Sequence, residues 1–74
     1  MQDTMQHVVK LMQQEAISAA EAKLGRSVTS VERVGIQRIG SLMMLESVCQ
    51  SFAFPGYTAA QVLADLEYFS KPTT

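Results

Sequence analysis

The sequence predicts an all-α fold: a helical hairpin of two long helices plus a short third helix, completed by homodimerisation. Three observations lead there. Apolar residues recur at the 3.6-residue helical period along most of the chain. The turn signals gather in two places, Gly25 to Thr29 and Phe54 to Thr58. No run alternates apolar and polar over strand length, and no Asn-Gly hairpin signal occurs.

The first helix is expected over about residues 3–24. Met5, Val8, Val9, Met12, Ala16, Ala19 and Ala20 form one stripe, while Gln6, His7, Lys10, Gln14, Ser18 and Glu21 lie opposite. Asp3 or Thr4 suits the N-cap, and Gly25 suits the residue after the last turn. The stripe changes from Met and Val to Ala along its length, so a partner helix can approach most closely at the Ala end.

The second helix is expected over about residues 30–53. Thr29 stands three residues before Glu32, the spacing of a capping box. Val31, Val34, Gly35, Leu42, Leu45, Cys49 and Phe52 form its main stripe, with Ile39 and Val48 on the flanks. A second set, Ile36, Gly40, Met43 and Ser47, lies about 120–180° round the helix, with Met44 beyond it. A helix apolar on two sides is normally central. The short first connection makes helices one and two antiparallel neighbours.

Phe54-Pro55-Gly56-Tyr57 is the clearest turn. Pro55 drives Phe54 out of the helical region. Thr58 and Gln61 repeat the capping-box spacing, and a third helix over about residues 59–69 buries Val62, Leu66 and Phe69 beside Leu63. Residues 71–74 read as a loose tail behind the helix stop imposed by Pro72.

Composition narrows the function classes. The 74 residues make one small domain, 47% apolar, with six Lys and Arg against seven Asp and Glu. That is too apolar and too weakly charged for a disordered chain. A chain this short buries only about 60% of its unfolded surface, so its core is marginal without extra support. One cysteine, Cys49, excludes an internal disulfide, and with the single His7 it makes no zinc site. Association with a second copy is the support left over. The net charge of −1 argues against nucleic-acid binding through phosphates, although Arg26, Arg33 and Arg38 cluster mid-chain. No signal peptide and no membrane-spanning stretch is recognisable, and an unpaired Cys49 fits a reducing cytoplasm.

The search for chemistry yields no catalytic set, no cofactor motif and no metal ligands. No serine sits in a Gly-x-Ser-x-Gly elbow, and Gly25-Arg26-Ser27 lacks the glycine and lysine of a phosphate loop. His7 reads as a surface histidine. Cys49, on the main stripe, reads as a small core residue. The aromatics Phe52, Phe54, Tyr57, Tyr68 and Phe69 fall in the last third and read as a satellite cluster under the Pro-Gly turn. Arg38 is the anomaly. It falls on the apolar stripe of helix two, where it either reaches a carboxylate such as Glu15 or Glu46, or anchors an anion or a partner's acid.

Ile36, Gly40, Met43, Met44 and Ser47 are the expected interface. Small residues permit close helix approach and methionine fills irregular gaps. The expected function is a non-enzymatic interaction protein, pairing with itself and binding and modulating another protein, with no membrane role. Small accessory or antagonist proteins of phages and other mobile elements have this profile. The competing readings are a small DNA-binding regulator, and a small-molecule-binding bundle with Arg38 as the anion anchor.

Overall fold

A computed structural model describes residues 4–71. Among them the chain is all-helical, in the order α1 (Thr4–Leu24), α2 (Ser30–Gln37), α3 (Leu42–Ala53) and α4 (Ala59–Ser70). The expected cap at Asp3 and all of the expected tail except Lys71 lie outside the described residues.

The first turn forms as its residues dictate. Gly25 takes φ +70°, which a side chain would disfavour, and its N–H closes onto the Glu21 carbonyl at 2.8 Å. The capping box is complete: Thr29 Oγ1 accepts from the Glu32 N–H at 3.1 Å, and Glu32 Oε1 accepts from the Thr29 N–H at 2.9 Å. The Arg26 guanidinium grips the same carboxylate with two nitrogens, at 3.1 and 3.2 Å. Glu21 accepts the N–H of buried Val28 at 3.0 Å.

The predicted second long helix is in fact two helices. α2 ends at Gln37, with Arg38 as its C-cap, and the Ile39 N–H bonds back to the Ile36 carbonyl at 3.0 Å. Ser41 is extended and starts α3, its hydroxyl accepting from the Met44 N–H at 3.3 Å. A break of this kind strands backbone carbonyls. The buried Gln13 of α1 takes two of them, donating from Nε2 to Gln37 O at 3.1 Å and Ile39 O at 2.9 Å. Gly40, which the sequence suggests as a small residue for close packing, instead supplies the joint together with Ser41. A straight helix over residues 30–53 would reach about 36 Å. The joint folds that length back onto the core.

The direction of α3 follows from its neighbours. α2 runs antiparallel to α1, with Val28 beside Glu21 and Gln37 beside Gln13. α3 then runs along α1 in α1's own direction. Cys49 meets the Met12 carbonyl, and Lys23 Nζ donates to the carbonyls of Phe54 and Tyr57 just past the end of α3. The long hairpin is thus replaced by a shorter one whose second arm doubles back.

α3 packs mainly on α1, and α2 mainly on α4. Ala16, Ile17 and Ala20 of α1 join Ile36, Ile39, Leu45, Val48, Phe52, Val62 and Leu66 in one core with Val28. The buried line of α1 passes through Gln13, Ala16, Ile17 and Ala20, with Val9, Met12 and Ala19 of the expected stripe partly buried against it, while Met5 is left 61% exposed. α4 agrees with expectation: its capping box of Thr58 and Gln61 is complete, Val62 and Leu66 are buried, and Phe69 is half-buried.

The crossing of α2 over α4 depends on one glycine. A Cβ on Gly35 would stand 3.0 Å from the backbone carbonyl carbon and oxygen of Phe69 and 3.1 Å from the Ser70 nitrogen. The backbones touch there because Gly35 has no side chain. The molecule is 19 Å across its shortest axis. That is about two helix diameters, so every helix keeps an outer face.

Candidate functional site

The five residues expected at an interface part company. Ile36 is fully buried in the chain's own core, so it belongs to the monomer and not to a docking face. Gly40 lies in the α2–α3 joint, with nothing within 4 Å of where a Cβ would stand, so it brings no helix close. Met43, Met44 and Ser47 stay exposed on α3. Met43 is 75% exposed, pointing away from the buried line of Leu45, Val48 and Phe52. The rotation at residues 38–41 explains the split. It turns Ile36 inward and leaves Val31 and Val34, expected on the main stripe, on the outside.

Arg38 is not a buried arginine. It is exposed, reaches neither Glu15 nor Glu46, and donates from Nη1 to the Lys71 carbonyl at 3.4 Å. Its position as the α2 C-cap removes it from the apolar stripe that made it anomalous, and a cation is well placed near the negative end of a helix. With Ser30, Val31, Val34, Gly35 and Ser70 it lines a shallow groove of about 240 Å³ beside the α2–α4 crossing. On a neighbouring stretch, Ala60, Leu63, Ala64 and Glu67 of α4 form a second hollow with Glu32.

The other arginines are separated. Arg26 is held by Glu32, and that ion pair with the Thr29 N–H lowers the Glu32 carboxyl below its ordinary range. Arg33 lines a hollow with Gln14, Ser18 and Glu21. The three mid-chain arginines therefore line different sites.

Cys49 is half-buried, its thiol donating weakly to the Met12 carbonyl at 3.4 Å. Burial, and secondarily the Glu15 carboxylate, push this thiol above its ordinary value. That is the behaviour of a packing residue rather than a nucleophile. His7 is exposed, as expected. The aromatics make two pairs rather than one cluster. Phe52 packs on Tyr57 with centroids 6.1 Å apart, and Tyr68 meets Phe69 edge-on at 5.8 Å. Phe54 is 61% exposed. Tyr57 donates to Asp65, which raises the phenol above its ordinary value and ties the Pro-Gly turn to α4.

Three structural side chains were not anticipated from the sequence. Gln13 had a signal: it stands between Val9 and Ala16 on the line that continues to Ala20, a polar residue at an apolar position. Lys23, which holds the Phe54–Tyr57 turn, and Asp65 had none, because their partners are 31 and 8 residues away.

Among the described residues no three His, Cys, Asp or Glu side chains come together as a metal would require, and no helix is long and apolar enough to cross a membrane. No family model, no curated protein and no solved structure matches the chain.

Proposed function

We propose that this chain is a non-enzymatic interaction protein that pairs with a second copy of itself and modulates another protein through the outer face of α3. One observation carries the reading: large apolar side chains stay outside although the core is filled. Met43 is 75% exposed, Met44 46%, Val31 64% and Phe54 61%, while Phe52, Ile36, Leu45, Leu66 and Val62 are almost wholly buried. Single exposed apolar residues are ordinary, but methionines are enriched at the centres of protein contacts. Met43 and Met44 sit together in the first turn of α3, and Ser47 adjoins Met43 one turn on.

The test is affinity capture from the cells that express the protein, comparing the native chain with Met43→Asp. The side chain is solvent-facing, so the variant keeps its melting temperature. Loss of the captured partner supports the reading. Unchanged capture by the folded variant removes α3 from it.

A second reading, a small DNA-binding regulator, draws on the α2–joint–α3 unit. It has two helices joined by four residues including Gly40, the outline of a helix-turn-helix. Against it, α3 carries no Lys or Arg and presents Glu46. Duplex binding that weakens steeply with salt would favour this alternative.

A further inference from the structure

The two hollows beside α2 carry opposite charges, the first on an apolar wall and the second on a mixed wall that also holds Glu32, itself paired with Arg26. In the groove by the α2–α4 crossing, Val31 and Val34 precede Arg38 on α2. In the hollow on α4, Ala60 and Leu63 precede Glu67. Val34 to Arg38 and Leu63 to Glu67 are each four residues, so on both helices an apolar side chain is followed one turn later by a charge on the same face. Arg38 and Glu67 belong to the same helix pair, yet neither makes an ion pair among the described residues. Among the described residues Arg38 reaches only the Lys71 carbonyl. Val31 is 64% exposed, Val34 48% and Leu63 43%.

We propose that the α2 groove receives the α4 edge of a second copy, Val31 and Val34 against the partner's Leu63, with Arg38 paired to the partner's Glu67. The inference rests on the self-pairing part of the function proposed above, and it names the surface. Charge complementarity favours a second copy because one chain presents both halves: a cation beside two valines, and a carboxylate beside a leucine. Gly35 holds the groove wall in place, since the backbones of α2 and α4 touch there. Closing the contact desolvates the ion pair against apolar side chains, which makes reversal of either charge costly.

The experiment is sedimentation equilibrium of the full chain across micromolar concentrations, with circular dichroism to confirm folding. The native chain is expected to move from 8.1 kDa toward twice that mass. Arg38→Glu and Glu67→Arg should each weaken association about tenfold or more, with little change in melting temperature, because both side chains are exposed. The double reversal should restore association to near the native value, since it rebuilds the pair with its signs exchanged. Association that is native-like in both single reversals, or single losses that the double reversal does not repair, overturns this surface and leaves self-pairing standing elsewhere. A native chain that stays at 8.1 kDa throughout overturns the self-pairing reading itself.

Discussion

α2 and α3 come from one continuous apolar stretch, yet they are held in different ways. α3 lies along α1 through side chains: Leu45, Val48 and Phe52 are buried with Ala16 and Ala20 in the same core. α2 buries Ile36 in that core too, but its crossing over α4 adds a backbone contact, where Gly35 meets the carbonyl of Phe69 with no side chain between. α3 starts on a neutral serine cap, whereas α2 starts on a carboxylate gripped by an arginine. An interface made of area degrades in proportion to the area lost. An interface that includes a backbone contact is strained by a single added methyl group.

The largest expected effect is on the α3 side. Phe52→Ala removes an almost fully buried ring and should lower stability by about 3–5 kcal/mol in urea denaturation. Val31→Ala, on the outer face of α2, should change it by less than about 0.5 kcal/mol. Next is Gly35→Ala, which should destabilise by about 1–3 kcal/mol because a backbone must move. Helix propensity alone gives the opposite sign, a gain of about 1 kcal/mol. Gly40→Ala, with open space around it, should be close to neutral. A stabilised Gly35→Ala protein would break the distinction between the two helices.

A smaller effect belongs to the joint between them. Gln13→Met keeps the volume but removes both donors from Gln37 O and Ile39 O. It should cost about 1–2 kcal/mol, and hydrogen exchange should show faster opening around residues 37–41 than in the middle of α1. Uniform loss of protection along the chain would mean that Gln13 supports the fold at large.

The smallest effect is acid fraying of α2. The Arg26 contact and the Thr29 N–H hold the Glu32 carboxyl below its ordinary 4.5. A lowered folded-state value stabilises the fold above 4.5, and that stabilisation is lost as pH falls through the folded value. Ser41 does not titrate. Amide protection at the α2 start, corrected for the intrinsic slowing of exchange in acid, should therefore fall on acidification before protection at the α3 start does. An equal fall at both ends would sink the contrast.

Much of this molecule was legible where one short stretch of chain decides the outcome. Both capping boxes, the left-handed Gly25, the Pro-Gly turn, the C-terminal end of α1 and the start of α4 follow from residues three or four apart, whose hydrogen bonds close locally. The helical class follows from the apolar period. At the candidate interface, exposure of Met43, Met44 and Ser47 on the far side of α3 was readable from that same period.

The break at residues 38–41 was not readable in that way. Gly40 and Ser41 are tolerable inside a helix, and the joint they form has its Gln37 and Ile39 carbonyls satisfied by Gln13, 24 and 26 residues away from them. With the bend in place Ile36 lies in the core rather than on a docking face, and Val31 and Val34 stay outside. Arg38 stands off the apolar stripe at a groove's edge. Local hydrogen bonding thus settled where helices start and stop at the two turns. Which face each helix buries was settled by tertiary contacts, because burying Ile36, Ile39 and Leu45 together requires the chain to bend where the sequence period alone would carry it straight on.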